Sequence, residues 1–404
     1  MAQSTTHANG VQNGSPGPAQ DFIRTAKNVT NCTFKDEEER MDTLSAAYEV
    51  IGKVETSWDT YVRMLLNQVP ATVGVLLTMK DLRLFEKWEE NGNVPMTSLQ
   101  LADMVGKIDP ALLHRFLRLL AANHLVEQIP VDRFQPREFC TELNKPFGAL
   151  LDYFRFATLP MYGEMPRILA EMGYRNPVDG TDTLFQRVKN YEGSLWSYFK
   201  EHPEFGESFN MVQKVSTGKE QPWMDIYPHN QLVDESDPNL PLFVDVGGGI
   251  GHDLMRMYNA YPETASRLYL ADLPEVVASN IVPETINKVD YNFFTPQPVK
   301  HAKAYYLHHI IHDWSDQPAR KILEMQKSAM KPGYSRLLIH DQILDDEKSQ
   351  MSTAAFDIAM MVYLAGQERT EKQWLALVDS VGLKVVKFWK KPPDHFSVIE
   401  LELP

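Results

Sequence analysis

The chain has 404 residues, 43% hydrophobic and 23% charged, the balance of a soluble globular protein of one or two domains. Its formal net charge of −14 repels nucleic-acid phosphates, so binding a duplex would require a local basic patch. Cys32 and Cys140 are too few for a disulfide framework and fit a reducing, cytoplasmic setting, and no apolar run reads as long enough to cross a membrane.

Residues 1–20 are mostly Ser, Gly, Asn, Gln and Pro, too polar to bury a core, and read as a disordered tail. Helical patterning starts near Asp36 and continues through Arg63. The segment VPATVGVLLTMKDLRLFEKW (69–88) is apolar enough for one buried helix or for one packed on a partner chain. Thr97 or Ser98 then caps a helix bearing Leu99, Leu101, Ala102 and Val105. Asp109-Pro110 opens another, with Leu112, Leu113, Phe116, Leu117 and Leu120 at helical spacing. LVEQIPVDRFQP follows as a small hairpin. Helix-turn-helix plus hairpin is a winged-helix outline, and the block it belongs to runs over 36–150. It suits either a DNA reader, with His114, Arg115 and Arg118 on the second helix, or a structural, dimerising module. Nothing extends that basic patch, and the acidic chain favours the second reading, without a nucleic-acid partner.

Residues 151–235 are helical in pattern and rich in Met, Phe, Tyr and Trp. This is core material, and the stretch from Tyr153 to Met211, with Met360, Met361 and Tyr363, also suits the lining of an apolar ligand pocket. After the polar linker LVDESDPNLP, strands and helices alternate through 236–404. Strands are expected at 242–247, 267–272, 290–294, 302–308, 336–344, 384–390 and 396–403, and helices at 253–261, 274–281, 318–330, 353–364 and 371–381. That pattern is a seven-stranded, mostly parallel Rossmann-like α/β sheet with an antiparallel end and helices on both faces.

Asp245-Val-Gly247-Gly248-Gly249-Ile-Gly251 lies between the first of these strands and its helix. The bland reading is an ordinary tight βα turn. However, the spacing is G-x-G-x-G, not the G-x-G-x-x-G of dinucleotide sites, and it opens with an acid. An acid there repels a pyrophosphate but suits a cationic amino acid. Asp272 ends the next strand, where a carboxylate suits a ribose diol. A nucleoside without phosphate joined to a cationic amino acid describes S-adenosylmethionine (SAM) better than a nicotinamide dinucleotide. In an open α/β sheet, ligands bind beyond the carboxyl ends of the strands. Asp245, Asp272, Asn292, His308, His312 and Asp341 all fall on that rim.

LHHIIHDW (307–314) admits three readings: a metal site, a base with bystanders, or structural imidazoles. If His308 and His309 end a strand, they face opposite sides and cannot both converge with His312. With no Cys nearby, the expectation is no metal. His312 alone has the bland alternative of a satisfied loop histidine. Glu368-Arg369 has that of a surface ion pair, and Asp341 that of a turn cap.

DVGGGIG, ADLPEVV, HHIIHDWSD, MKPGYSRLLIHDQIL and GQERTEKQW, in this order, resemble the SAM-dependent O-methyltransferases of fungal and plant secondary metabolism, from about Asp36 to the end of the chain. The resemblance implies a class I methyltransferase domain preceded by a winged-helix dimerisation domain. It also implies a homodimer, and metal-independent methylation of a hydroxyl on a small aromatic, polyketide-type substrate. By position, Asp245, Gly247, Gly249 and Gly251 would hold the methionine part and Asp272 the ribose. Asn292 and Phe293 would lie by the adenine and His308 close to the cofactor. His312 would be the base, flanked by Asp341 and Glu368. Asn292, His308 and Asp341 depart from the family's usual Asp, Lys or Arg, and Glu. Those departures leave a second reading, a SAM-binding pericyclase or dehydratase on the same fold, in which the sulfonium serves as fixed charge.

Overall fold

The computed structural model describes residues 17–30, 33–130, 132–144, 147–217, 220–392 and 396–404. Cys32 and most of the expected tail lie outside them. Pro18 to Gln20, expected in that tail, instead begin an exposed helix, Pro18–Asn28, with Pro in its first turn. Glu37–Val54 is a second helix, capped by the Asp36 side chain accepting from the Glu39 N–H. Both belong to a unit ending at Thr56; a second unit runs from Ser57 to Pro404.

The 69–88 segment is not one helix. It divides into the end of a π-helical stretch, Val62–Thr72, then Val73–Asp81 and Leu84–Glu90. Pro70 inside the first piece has no N–H to give, and the wider bonding pattern absorbs that defect. Arg83, at φ +54°, breaks the chain before the last piece. Within the 25 residues of Ser57–Asp81, an 18-residue window reaches a mean hydropathy of 1.3, long and apolar enough to cross a membrane by length and composition alone. The expectation that no such run exists therefore fails on that measure: Met64 to Met79 carries no charge.

Strands β1 (Met96–Thr97), β2 (Val126–Ile129) and β3 (Arg133–Pro136) form a small antiparallel sheet in the order β1-β3-β2. Ser98–Val105 and Pro110–Ala122 are the paired helices, capped by Thr97 in a capping box with Gln100 and by Asp109. Leu101, Leu113, Leu117 and Leu120 are buried with Trp88, Met79 and Phe134, whereas Leu99 and Leu112, expected on the apolar face, point outward. His114 does not join a basic patch: its Nδ1 lies 2.6 Å from Asp132.

The large sheet contains β4 (Phe243–Val246), β5 (Leu268–Asp272), β6 (Asn287–Asp290), β7 (Ala304–His308), β8 (Arg336–Leu344), β9 (Arg369–Thr370), β10 (Lys384–Lys390) and β11 (Phe396–Glu402). Its main path is β10-β11-β8-β7-β4-β5-β6, with β9 added beside β8. β11 runs antiparallel between β8 and β10, and the other pairings on the path are parallel. Residue alternation assigns the faces. Val244, Val246, Tyr305, Leu307, Leu337 and Ile339 pack with Ile322, Leu323, Trp374 and Leu377. Phe243, Leu268, Leu270, Tyr306 and Leu338 pack with Trp223, Leu254 and Met257. The strand expected at 290–294 stops at Asp290, because Asn292 builds a turn: its Oδ1 accepts from the Phe294 N–H and its carbonyl from the Thr295 N–H. The helix expected over 274–281 ends at Val277. Strand order reverses between β4 and its two neighbours β5 and β7, and such a switch point opens a crevice at the carboxyl edge.

Candidate active site

The glycine loop leaves β4 at that crevice. Gly247, Gly249 and Gly251 all have positive φ. A Cβ on Gly251 would sit 2.5 Å from Val282, and one on Gly247 would sit 2.6 Å from Ile310, so the loop is packed as bare backbone. Asp245 is 1% exposed, and its Oδ2 has no hydrogen-bond partner among the described residues. Burial, then the negative charge of Asp253, pushes its carboxyl well above the usual carboxylate range. A buried acid with one unpaired oxygen beside a bare-backbone loop fits the cationic amino-acid end of SAM. Asp272 already serves the loop: its carboxylate accepts from the Gly249 N–H at 2.8 Å and the Leu273 N–H at 2.6 Å. Phe293 packs near Gly247 and edge-on to Trp314. Asn292 is exposed, and its side-chain oxygen is committed to the turn.

The histidines converge, contrary to the alternating-face argument. His309 takes φ +53°, which turns its ring back onto the side of His308. The His308 and His309 rings stack at 4.3 Å, His340 stacks on His308 at 4.2 Å, and His309 tilts against His312 at 5.0 Å. His340, on β8, belongs to this stack and bonds the Tyr306 hydroxyl through Nδ1. Two acids hold it from outside the motif. Asp253 lies 2.6 Å from His308 Nδ1, and Glu220 reaches both His308 and His309. Burial alone would depress His308, but Asp253 and Glu220 raise it to about 10. Burial and the charge of His308 lower His309 to about 4. Glu220 falls to about 2: burial opposes this, and its bonds to the two imidazoles prevail.

His312 sits on a short turn, Ile311–Asp313, past the end of β7. Its Nδ1 is 2.9 Å from Glu368 Oε1, and its backbone N–H donates to Asp341 Oδ2 at 3.2 Å. The parallel pairing of β9 with β8 brings the Gln-Glu-Arg-Thr segment to this point. Glu368 and Arg369 are not a surface pair: they are 2% and 0% exposed. The Arg369 guanidinium donates to the Ile311 and Trp314 carbonyls and to Asp316, clamping the histidine turn. Gly366 passes so close that a Cβ there would lie 2.2 Å from the His312 carbonyl. Asp341 is fully buried and supports the turn through that N–H; its other oxygen lacks a partner among the described residues. Burial would lower His312, but Glu368 and Asp313 raise it to about 10. Burial pushes Asp313 to about 7 and Asp341 to about 6. In the neutral state of His312, an Nδ1–H directed at Glu368 leaves the lone pair on Nε2, which can then accept a proton. Close by, Tyr153, Met161, Phe185 and Tyr198 pack against Val362, Tyr363 and Leu364, and Met360 and Met361 border the same cluster. Helix Met351–Leu364 then leads through Gly366 to Glu368.

Among known proteins, the O-methyltransferase domain family matches residues 178–384. The O-methyltransferase mfmE of Annulohypoxylon moriforme is 45% identical over 404 residues, covering all of both chains. The structure of LepI in complex with SAM superposes with a TM-score of 0.83 at 27% identity, covering 96% of this chain and 98% of that one. A structure described as a pericyclic reaction enzyme gives a TM-score of 0.82 at 27% identity over the same shares. With the glycine loop, its acids and the class I sheet in place, the chain belongs to the SAM-dependent O-methyltransferase family and is a methyltransferase that uses SAM.

Proposed function

We propose that this enzyme methylates a hydroxyl of a small aromatic, polyketide-type metabolite, without metal assistance, with His312 as general base. The buried His312–Glu368 pair carries this reading, because it stands on the turn whose Ile310 packs on the glycine loop. Bound SAM supplies a methyl group already activated by its sulfonium charge. Asp245 and the glycine loop hold its amino-acid end, and Asp272 faces the ribose. A phenol has a pKa of about 10 and a free imidazole about 6.5. Glu368 and Asp313 raise the basicity of His312 towards that of the acceptor, so Nε2 takes the hydroxyl proton as the bond to carbon forms. Glu368 then stabilises the imidazolium, and Arg369 and Gly366 hold the turn in register. The Met- and aromatic-rich cluster next to helix Met351–Leu364 supplies the apolar wall for the acceptor.

The second reading, a SAM-binding pericyclase or dehydratase, draws on the likeness to LepI and on the departures at Asn292, His308 and Asp341. The retained His312–Glu368 pair weighs against it. SAM labelled in its methyl group, incubated with the protein and a pool of phenolic polyketides and alkaloids, separates the two. Label in a product supports transfer. Cofactor seen by native mass spectrometry with no label transferred across the pool supports the pericyclic reading.

We also propose a homodimer. Trp58, Tyr61, Met64, Leu65, Leu66 and Val69 are exposed on one apolar stretch, and a partner copy would cover them. A sizing column at micromolar concentration should show the dimer; monomer alone would rule it out.

A further inference from the structure

We infer that Glu220, His308 and His309 form a binding site for one divalent transition-metal ion of the zinc class, an ion the methyl transfer does not require. Two of the three donor–donor spacings are close to those of such a site. Glu220 Oε2 lies 3.2 Å from His308 Nε2 and 3.0 Å from His309 Nε2. In a tetrahedral site with bonds of about 2.0–2.1 Å, neighbouring ligand atoms stand about 3.3–3.4 Å apart. The three donor atoms lie within 4.8 Å of one another, and an ion is held once the His308 and His309 rings, stacked at 4.3 Å in the free chain, rotate to aim Nε2 at a common point. Two imidazoles and a carboxylate are a known zinc ligand set, with the fourth position left for water.

The surroundings match. Nδ1 of His308 is bonded to Asp253 at 2.6 Å, so a carboxylate stands behind the imidazole and would fix its orientation for a metal on Nε2. Arg256 in turn lies 3.8 Å from Asp253. The His309 side chain is 22% exposed, which gives the ion a route in. An ion pair between a protonated His308 and the two acids accounts for the His308 contacts. His309 meets both oxygens of the same carboxylate through Nε2 from a left-handed backbone conformation unusual for a non-glycine residue, so both imidazoles present Nε2 to one acid. The neighbouring grouping of His309, His312 and Asp341 is the weaker candidate, because it would place the ion on the proposed base.

The site lies on the cofactor rim and uses His308, so an occupying ion would compete with the cofactor for that side chain. Metal binding itself requires neither SAM nor acceptor and is measurable whichever reaction the enzyme performs. Tag-free, cofactor-free full-length chain would be titrated with Co²⁺ and followed by visible absorption. The expected result is the intense d–d spectrum of four-coordinate Co²⁺, saturating at one equivalent and abolished by Zn²⁺. Glu220→Gln and His309→Asn should each remove it; asparagine tolerates the positive φ at 309, so the backbone need not change. Asp253→Asn should weaken binding by about 10- to 100-fold, the usual effect of removing a carboxylate behind a metal-bound imidazole. A wild-type spectrum showing only six-coordinate Co²⁺, or equal Co²⁺ affinity in folded Glu220→Gln and His309→Asn chains, would overturn the proposal.

Discussion

Replacing His312 by alanine should lower kcat by about 10²–10⁴-fold while SAM binds with nearly unchanged affinity. The side chain bonds Glu368 and lies 3.4 Å from Asp313. Only the step that needs a proton acceptor should suffer. Alanine leaves buried Glu368 without its partner, so the variant should also melt earlier, and turnover must be read on chain shown to be folded. Glu368→Gln gives a second readout that a merely structural histidine would not move. The base works only when deprotonated, and its pKa is raised to about 10, so the rate of the wild type should climb on the alkaline side. Removing the Glu368 charge removes the first of the raising influences, and the rising limb should shift towards acid. Stability follows the same linkage. A histidine raised above its unfolded pKa of about 6.5 stabilises the fold fully below that pH and loses the contribution as pH climbs towards 10. The stability deficit of Glu368→Gln should thus be widest near pH 6. Near-normal turnover by His312→Ala, or a rate profile unmoved in Glu368→Gln, would remove His312 from the chemistry.

Much of this site is legible in the sequence because strand ends and loop glycines announce themselves locally. Asp245, Asp272, His308 and Asp341 follow from where apolar runs stop, and the structure puts all of them on strands of one sheet. His309 shows the limit of that reasoning. Strand alternation sends it away from His308, yet one backbone angle past the end of β7 reverses the outcome. Asn292 is a similar case: its short side chain competes for the backbone and makes a turn where the β-rich composition suggested a strand. Glu220 had no local signal at all. It lies 88 residues before His308, at the start of a segment that anchors through Trp223 and Tyr227, and only the packed fold brings it to the imidazoles. His340 was hidden for a different reason. It alternates with Asp341 on β8 and reads as an ordinary buried strand position until the ring stack is seen. For Arg369 the alternative of half a surface ion pair stays open in the sequence, because the two-residue strand β9 is too short to leave a pattern, and the side chain proves fully buried.

Asp245→Asn should have opposite effects on cofactor binding and on the stability of the free chain. The side chain is nearly isosteric, so the packing around Phe243 and Val244 should survive. In the free protein a carboxyl is buried without a partner for Oδ2 and is repelled by Asp253. An acid whose folded pKa is raised costs the fold stability as pH rises above its unfolded value of about 3.8. Asparagine carries no such penalty, and the cofactor-free variant should melt at the same temperature as the wild type or higher at pH 7. With SAM present the sign reverses. The proposed partner of Asp245 is a cationic amino group, and losing one side of a buried, hydrogen-bonded charge pair costs about 2 kcal/mol or more, a loss of at least about 30-fold in affinity. Calorimetric titration with SAM and thermal melting on the same preparation check both halves. Weaker binding by a chain that is no less stable places the effect in the missing charge and not in a damaged loop. Unchanged affinity alongside a higher melting temperature would mean that Asp245 is only a buried acid and that the amino group is held elsewhere on the rim, where Asp253 and Glu220 are the remaining carboxylates beside His308.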